Sequence, residues 1–448
     1  MSMRLSLATL DRIRPGVTRP PFDPARLGTG IVHLGIGAFH RAHQGVFTED
    51  AVIADGGAWG ITGVSLRRPD VPATLVPQDG LYTVETLDTV PRYRVMGIVR
   101  QALTATAQQA EVLAALAAPT THVVTLTVTE KGYVRDPARP AVPGRPWTAM
   151  DWLVEGLALR HAAGTAPFTV VSCDNLQNNG EKLRAGVIAI AQERDAALAR
   201  WIATEIGFPN TMIDSIVPAT DAASAARVAA AIGMIDHASV QREPFGQWAI
   251  EDRFTGPRPA WDKVGVDIVA DVTPFERLKL HVLNATHSTL AYMGLARGHL
   301  YVLHAIADPG LLGFVERLVH EEIAPALAPL DVAAYWRTVH ARYENPMVDH
   351  ALEQIAQDGS AKLAQRLFPL LTANARNGLP TACMAKVVDA WLAFARSREH
   401  VIDPQAAAFA AWRTGEATLA TAVADPALFP DAFRNDRAVR SAMGLADT

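Results

Sequence analysis

The stretch IVHLGIGAFHRAHQG, Ile31 to Gly45, decides how the rest of the chain is read. Ile31 to Leu34 is a short apolar run that ends at Gly35, as a buried strand entering a tight turn does. Gly35-Ile36-Gly37 is the first half of a G-x-G-x-x-G turn. Glycines there let the backbone bend sharply and approach a pyrophosphate, while the following helix points its N-terminal N–H groups at the anion. The third glycine is missing, and His40 stands in its place, followed by Arg41 and His43. One imperfect match is a weak signal. The same residues read equally as a plain strand–turn–helix, with His40, Arg41 and His43 on an exposed helix face.

The flanking sequence extends the pattern. Residues 38 to 54 continue as a helix. Trp59 to Leu66 is a second strand, closed by the charged Arg67, Arg68 and Asp70. His122 to Tyr133 is rich in Val and Thr and reads as the strongest strand of the chain, with Gly132 as its breaker. Phe168 to Ser172 is another strand, followed by a polar turn and a helix. Strands alternating with helices predict a mostly parallel, doubly wound α/β sheet. The first twenty-odd residues are rich in Pro and Arg and read as an arm. Beyond about Asp271 the chain is Ala/Leu-rich with a helical period and no convincing strand. The expected organisation is an α/β nucleotide-binding domain over residues 1–271 and a mainly α-helical domain over residues 272–448.

Composition bounds the function. A chain of 448 residues exceeds one compact core, and 49% apolar with 19% charged residues is the composition of a folded globular protein. A net charge of -5 and a pI near 6.3 speak against a nucleic-acid surface. No apolar run approaches the roughly 18 residues of a membrane span, and the start reads as a mature cytoplasmic N-terminus rather than a signal peptide. The two cysteines, Cys173 and Cys383, make neither a disulfide framework nor a Cys-rich zinc site. With no H-e-x-x-H pattern either, no metal site is expected. The expected partner is a small molecule, and the oligomeric state is left open.

The segment Thr273 to Gly294, TPFERLKLHVLNATHSTLAYMG, holds the densest group of reactive side chains. On an α-helix, at about 100° per residue, Glu276, His287 and Asn284 fall about 60°, 80° and 140° round from Lys279. All four share one broad side. Alcohol oxidation by hydride transfer needs a base for the hydroxyl proton and donors for the developing oxyanion. A lysine of lowered pKa can be the base, an Asn amide can donate, and His can orient the hydroxyl. The alternative is an amphipathic helix whose polar residues meet water. A second polar site, Ser172 to Gly180, follows a strand at the end where doubly wound folds place ligands. Asn175 is a candidate oxyanion donor there, against an ordinary Asx turn. Asp214, set among apolar residues, reads either as a sugar-hydroxyl ligand or as a cap.

At these residues the chain resembles the polyol-specific long-chain dehydrogenases, the mannitol dehydrogenase family. The matching pieces are GIGAFHRAHQ, TVTEKGY, SCDNLQNNG, PNTMIDSIVP, EPFGQWAIEDRF, WDKVGVDIVADVTPFERLKLHVLNATHS and DGSAKLAQRL, which together span much of the chain. The family's nucleotide turn is G-x-G followed by such an H-R-A-H segment, so His40 is what the resemblance leads one to expect. The resemblance implies a Rossmann-type N-terminal domain, a mostly helical C-terminal domain with the active site between them, and metal-independent NAD(P)-linked chemistry. It implies Lys279 as general base, Asn175 and Asn284 as oxyanion donors, His287 as substrate orienter, Asp214 as a substrate contact and Glu276 as a proton relay. Gly35, Gly37, Ala38, Phe39, Arg67 and Glu130 are the implied cofactor contacts.

Two features resemble the fructuronate reductase branch more than mannitol dehydrogenase: Lys131 in TVTEKGY, and Lys362 with Arg366 in DGSAKLAQRL. A uronate carboxylate needs a hydrogen-bonding cation, and Lys131 or Lys362 would serve, unless each is an ordinary surface or cofactor-side lysine. The expected activity is NAD(H)-dependent interconversion of D-fructuronate and D-mannonate. A mannitol, arabinitol or sorbitol dehydrogenase is the near alternative, and a non-catalytic NADH-binding sensor the distant one. NAD is the expected cofactor. Arg67 and Arg68 at the end of the second strand, ahead of Asp70, keep NADP open.

Overall fold

Among the described residues, eleven strands lie between Thr29 and Val269. They are β1 (Thr29–Leu34), β2 (Gly60–Ser65), β3 (Tyr82–Thr86), β4 (Arg92–Met96), β5 (Val99–Thr104), β6 (Val123–Leu126), β7 (Thr169–Ser172), β8 (Thr211–Asp214), β9 (Val240–Arg242), β10 (Gln247–Glu251) and β11 (Asp267–Val269). The structure is a computed structural model and describes residues 3–133, 148–414 and 418–445, without the side chains of Glu130, Lys131 and Thr414. The chain divides into two compact units, Met1–Val272 and Thr273–Thr448.

In the first unit β5, β2, β1, β6 and β7 form one sheet in that order, every neighbouring pair parallel. Both faces are covered, as parallel sheets require. Val32, Leu34, Val124, Leu126 and Val170 enter one apolar layer, and Ile31, Ile61, Val123 and Val171 the other. The chain runs outward from β1 through β2 to β5, then returns to lay β6 and β7 on the other side. The order therefore reverses between β1 and β6, the switch point at which doubly wound sheets bind ligands.

Two smaller sheets, β4-β3-β9 and β11-β10-β8, complete the unit and contain its antiparallel pairs, β3 with β4 and β8 with β10. The N-terminal residues are not an arm. Leu5 and Ile13 are buried against Leu81, Val95, Val228 and Ile232, and the backbone is tied by Leu5 N–H to the Ile235 carbonyl and Thr18 N–H to that of Tyr93. The proposed helix over residues 38 to 54 breaks at His43 into Ala38–Ala42 and Gln44–Asp55. The strand expected over His122 to Tyr133 stops at Leu126. The Asp174 carboxylate accepts the N–H groups of Val128 and Thr129 at 2.8 and 2.7 Å, and Thr129 turns to φ +64°. These bonds replace ladder partners, and a 3-10 turn, Glu130–Tyr133, follows.

The second unit is helical. Its centre is the helix Ala285–Ala296, buried on all sides from Ala285 to Tyr292 and hence without a polar face, as a helix inside a bundle must be. Helices Pro309–Arg317, Leu352–Ile355 and Ala382–Ser397 pack around it. Among the described residues no helix is long and apolar enough to cross a membrane.

Candidate active site

The first unit presents the turn after β1. Gly35 has φ +99°, and a Cβ there would sit 2.2 Å from the Thr127 carbonyl oxygen, so backbone conformation and contact both demand glycine. Thr127 follows β6 and closes the switch point, its N–H on the Leu34 carbonyl and its hydroxyl on that of Gly35. Gly37 is different. It caps the helix Ala38–Ala42, and a Cβ on it would meet nothing nearer than the Gly35 carbonyl at 3.8 Å. The open face of Gly37 is what close approach of a pyrophosphate requires. Ala38 and Phe39 begin that helix, both half-buried.

His40 does not lie on an exposed helix face. It is 1% exposed and stacks on His33 of β1, ring centroids 3.4 Å apart and planes 13° from parallel. A third glycine in such a turn serves close helix–strand packing; here a stacked imidazole pair fills that contact. His33 is fixed by Thr125 at 2.7 Å and Thr127 at 3.0 Å. Burial pushes its pKa down to about 3. Burial, with like charge from His33 and Arg41, pushes His40 well below the ordinary imidazole range. Arg41 and His43 also turn inward: the Arg41 guanidinium bonds the Ala238 carbonyl, and His43 Nε2 pairs with that of Gln247 at 3.0 Å.

After β2, Arg67 and Arg68 are exposed, and Arg68 pairs with Asp70 at 2.6 Å. Glu130 and Lys131 lie on the 3-10 turn after β6, and their side chains fall outside the described residues. After β7, Asp174 is buried and binds Val128, Thr129 and, at 2.9 Å, the Tyr133 hydroxyl. It thereby fixes the loop that carries Glu130 and Lys131, while Asn175 beside it is exposed. The sequence reading missed Asn179. Its amide donates to the carbonyls of Asp174 and Thr211, both at 3.0 Å, and its oxygen accepts Thr211 N–H at 2.9 Å. Asn179 thus locks the Asn175 turn onto β8, which ends in the buried Asp214. The signal was present in Asn178-Asn179-Gly180, but a buried bridging amide and an Asx turn look alike in sequence.

The second unit presents the lysine helix, and here the assumed geometry needs correction. Residues Lys279–Asn284 are a π-helical turn between the α-helices Thr273–Leu278 and Ala285–Ala296. In an i→i+5 turn, residues five apart come into register. Lys279 and Asn284 therefore share one face rather than standing about 140° apart as α-helical spacing gives. Carbonyls displaced from the α ladder need donors, and side chains supply them. Thr286 Oγ1 donates to Val282 at 2.7 Å, the Tyr343 hydroxyl to Leu283 at 2.9 Å and Arg366 to Asn284 at 3.1 Å. Arg366 also holds Ser288 Oγ at 3.0 Å.

Lys279, Asn284 and Glu276 are half-buried. His287 is buried, its ring 4.7 Å from that of Tyr343 and 5.4 Å from that of His350. Burial first, then repulsion from His350, Arg366, Arg342 and Lys362, lowers its pKa strongly, so the imidazole is neutral. Lys362 donates to the Ile355 carbonyl at 3.1 Å, and burial with the nearby Arg366 lowers its pKa too. Among the sequence candidates, Lys279, Asn284, His287 and Lys362 thus gather in the second unit. Gly35 and Gly37 sit at the switch-point turn of the first, and Asn175 and Asp214 at strand ends bridged by Asn179.

A parallel doubly wound unit with this turn, joined to a helical unit carrying K-x4-N-x2-H, defines a class of dehydrogenase. The mannitol dehydrogenase Rossmann domain model matches residues 29–263 and the mannitol dehydrogenase C-terminal domain model matches residues 271–443. The chain belongs to the mannitol dehydrogenase family and is an oxidoreductase. It is 38% identical over 420 residues to D-mannonate oxidoreductase of Escherichia coli (strain K12), covering 88% of this chain and 86% of that one. Among solved structures, Pseudomonas fluorescens mannitol 2-dehydrogenase, in a ternary complex with NAD and D-mannitol, superposes with a TM-score of 0.84 at 32% identity, over 99% of this chain and 96% of the other. D-sorbitol dehydrogenase in substrate-free form gives 0.90 at 29% identity, over 99% and 97%.

Proposed function

We propose that this protein interconverts D-fructuronate and D-mannonate, with NAD(H) as cofactor and Lys279 as the general acid and base. The observation that carries the substrate is the packing of helix Gly359–Arg366, which bears Lys362 and Arg366, on the lysine turn, where Arg366 donates to the Asn284 carbonyl at 3.1 Å and to Ser288 Oγ at 3.0 Å, one residue from His287. A carboxylated sugar is stabilised beside these cations, and its carboxylate is a partner for Lys362. The 38% identity to D-mannonate oxidoreductase supports the same reading.

The turn at Gly35 and Gly37 fits a dinucleotide, with Ala38 and Phe39 at the start of the helix behind it, and Glu130 and Arg67 as further contacts. When bound, the nicotinamide supplies the hydride that reaches the ketone carbon. The remaining work belongs to this chain. Asn175 and Asn284 donate amide N–H groups to the oxygen as it gains charge, and protonated Lys279 delivers a proton to it. Glu276, one helical turn before Lys279, relays the replacement proton. Neutral His287 orients the substrate hydroxyl, and Asp214 holds another. NAD is favoured over NADP by the NAD complex of the solved mannitol 2-dehydrogenase, while the exposed Arg67 after β2 is a cation that an NADP 2′-phosphate could use.

A polyol dehydrogenase is the second reading, favoured by the likeness to the mannitol 2-dehydrogenase complex over nearly the whole chain. Titration of the purified protein with D-mannonate and D-mannitol in the presence of NAD separates the two. NADH formation with mannonate at lower KM is the expected result; formation with mannitol alone assigns the second reading.

A further inference from the structure

A cavity of about 410 Å³ opens in the first unit between helix Gln44–Asp55, the β3–β4 hairpin and the segment after β9. None of the residues given above to cofactor or substrate lines it. Three arginines do: Arg92 and Arg94 of β4, and Arg242 at the end of β9.

Their charges are not in the same state. Arg94 is neutralised by Glu49 at 2.9 Å and Asp50 at 2.5 Å. Arg242 is 8% exposed and, among the described residues, hydrogen-bonds only backbone carbonyls, those of Glu243 at 3.0 Å, Ala42 at 3.1 Å and Phe245 at 3.4 Å. Those three bonds use three of its five N–H groups. Carbonyls orient a guanidinium but carry no net charge; the Glu243 and Asp50 carboxylates favour its charge without hydrogen-bonding it, and burial outweighs them and works against the cation. Arg92 stands at the exposed edge, its side chain 68% accessible, with Asp88 no nearer than 3.8 Å. The Asp50 carboxylate in the wall is already taken by Arg94. Thr86 brings a hydroxyl, and Val84 and Pro244 bring apolar surface suited to a carbon skeleton.

We infer that this cavity binds a small organic anion bearing a phosphate or a carboxylate, with Arg242 as its buried counter-charge and Arg92 as its outer clasp. The volume lies within the range of small-molecule sites, and the site stands independently of the substrate reading.

Calorimetric titration of the full chain with inorganic phosphate and, separately, with malonate, at ionic strength balanced by chloride, tests it. Saturable binding of at least one anion is expected. Arg92→Ala should weaken that binding about tenfold, the equivalent of one charge-assisted hydrogen bond; because Arg92 is exposed, its melting temperature should match that of the wild type. Arg242→Met should abolish binding, and if that variant fails to fold the Arg92→Ala result decides alone. Binding of phosphate only names a phosphate monoester, and of malonate only a carboxylate. Absence of saturable binding overturns the inference. So does an affinity unchanged in Arg92→Ala, which would put the anion elsewhere, such as the turn at Gly35.

Discussion

Lys279 and Asn284 are the first and last residues of a single π turn. Their five-residue spacing suits this geometry and no other regular helix, because the i→i+5 turn brings its ends onto one face. A π turn is an α-helix carrying one extra residue. Asn284→Ala should leave the turn in place, because Arg366 bonds the backbone carbonyl of residue 284 rather than its side chain, and should remove the proposed oxyanion donor beside Lys279. We expect helical content measured by circular dichroism to be kept and kcat to fall by about a hundredfold, the scale of one lost oxyanion donor. A variant with kcat within twofold of wild type would show that the Asn284 amide takes no part in the reaction.

Lys279→Ala removes the proposed proton donor itself. The expected loss is about a hundredfold to ten-thousandfold in turnover. NADH affinity, read from fluorescence titration, should stay near the wild-type value because Lys279 is not among the proposed cofactor contacts. Retained turnover would reassign the general acid and base.

Gly35 and Gly37 separate structure from binding. Gly35→Ala meets both a left-handed φ of +99° and a contact of 2.2 Å with the Thr127 carbonyl. Strain of this kind costs about 1–3 kcal/mol before the clash is counted, so its melting temperature should drop. Gly37→Ala meets nothing within 3.8 Å, so its melting temperature should hold while the KM for NADH rises. A Gly37→Ala variant that keeps the wild-type KM for NADH would contradict the proposed cofactor role of the turn.

How much of this was legible in the sequence follows from the range of the interactions. The strand at Ile31 to Leu34, the glycine turn and the change to helical texture near residue 271 are local signals. The alternation of strand and helix announced the doubly wound sheet. The stop of β6 at Leu126 was hidden, because its cause is Asp174, 46 residues away from Val128. The burial of the N-terminal residues depends on Ile235 and Tyr93, again beyond a local reading. The π turn was hidden because α periodicity was assumed through Lys279; five-residue spacing of Lys and Asn was the one available clue. The stacking of His40 on His33 needed β1 and its following helix to be seen together.

That stacked pair gives a pH prediction. A histidine whose folded pKa lies below its unfolded value binds fewer protons in the native state. Its neutral form is fully compatible with folding above pH about 6.5, and stability is lost as pH falls below that value toward the folded pKa. With His33 pushed down to about 3, its share of the loss at pH 5 is about 2 kcal/mol. His40 acts in the same direction. Denaturant midpoints at pH 7 and pH 5 should differ clearly in the wild type and less in His40→Gly, which removes one ring and rehydrates the other. The same difference in both proteins would mean that other groups set the acid sensitivity.

The substrate assignment is tested most directly by reductive kinetics. NADH consumption is followed with D-fructuronate, D-tagaturonate and D-fructose side by side on the wild-type protein. One charge-assisted hydrogen bond to a carboxylate is worth about 1.5–3 kcal/mol, or roughly 10-fold to 100-fold in kcat/KM. The account predicts at least that preference for fructuronate over fructose. Fructose reduced as well as or better than both uronates would contradict it and make this chain a polyol dehydrogenase.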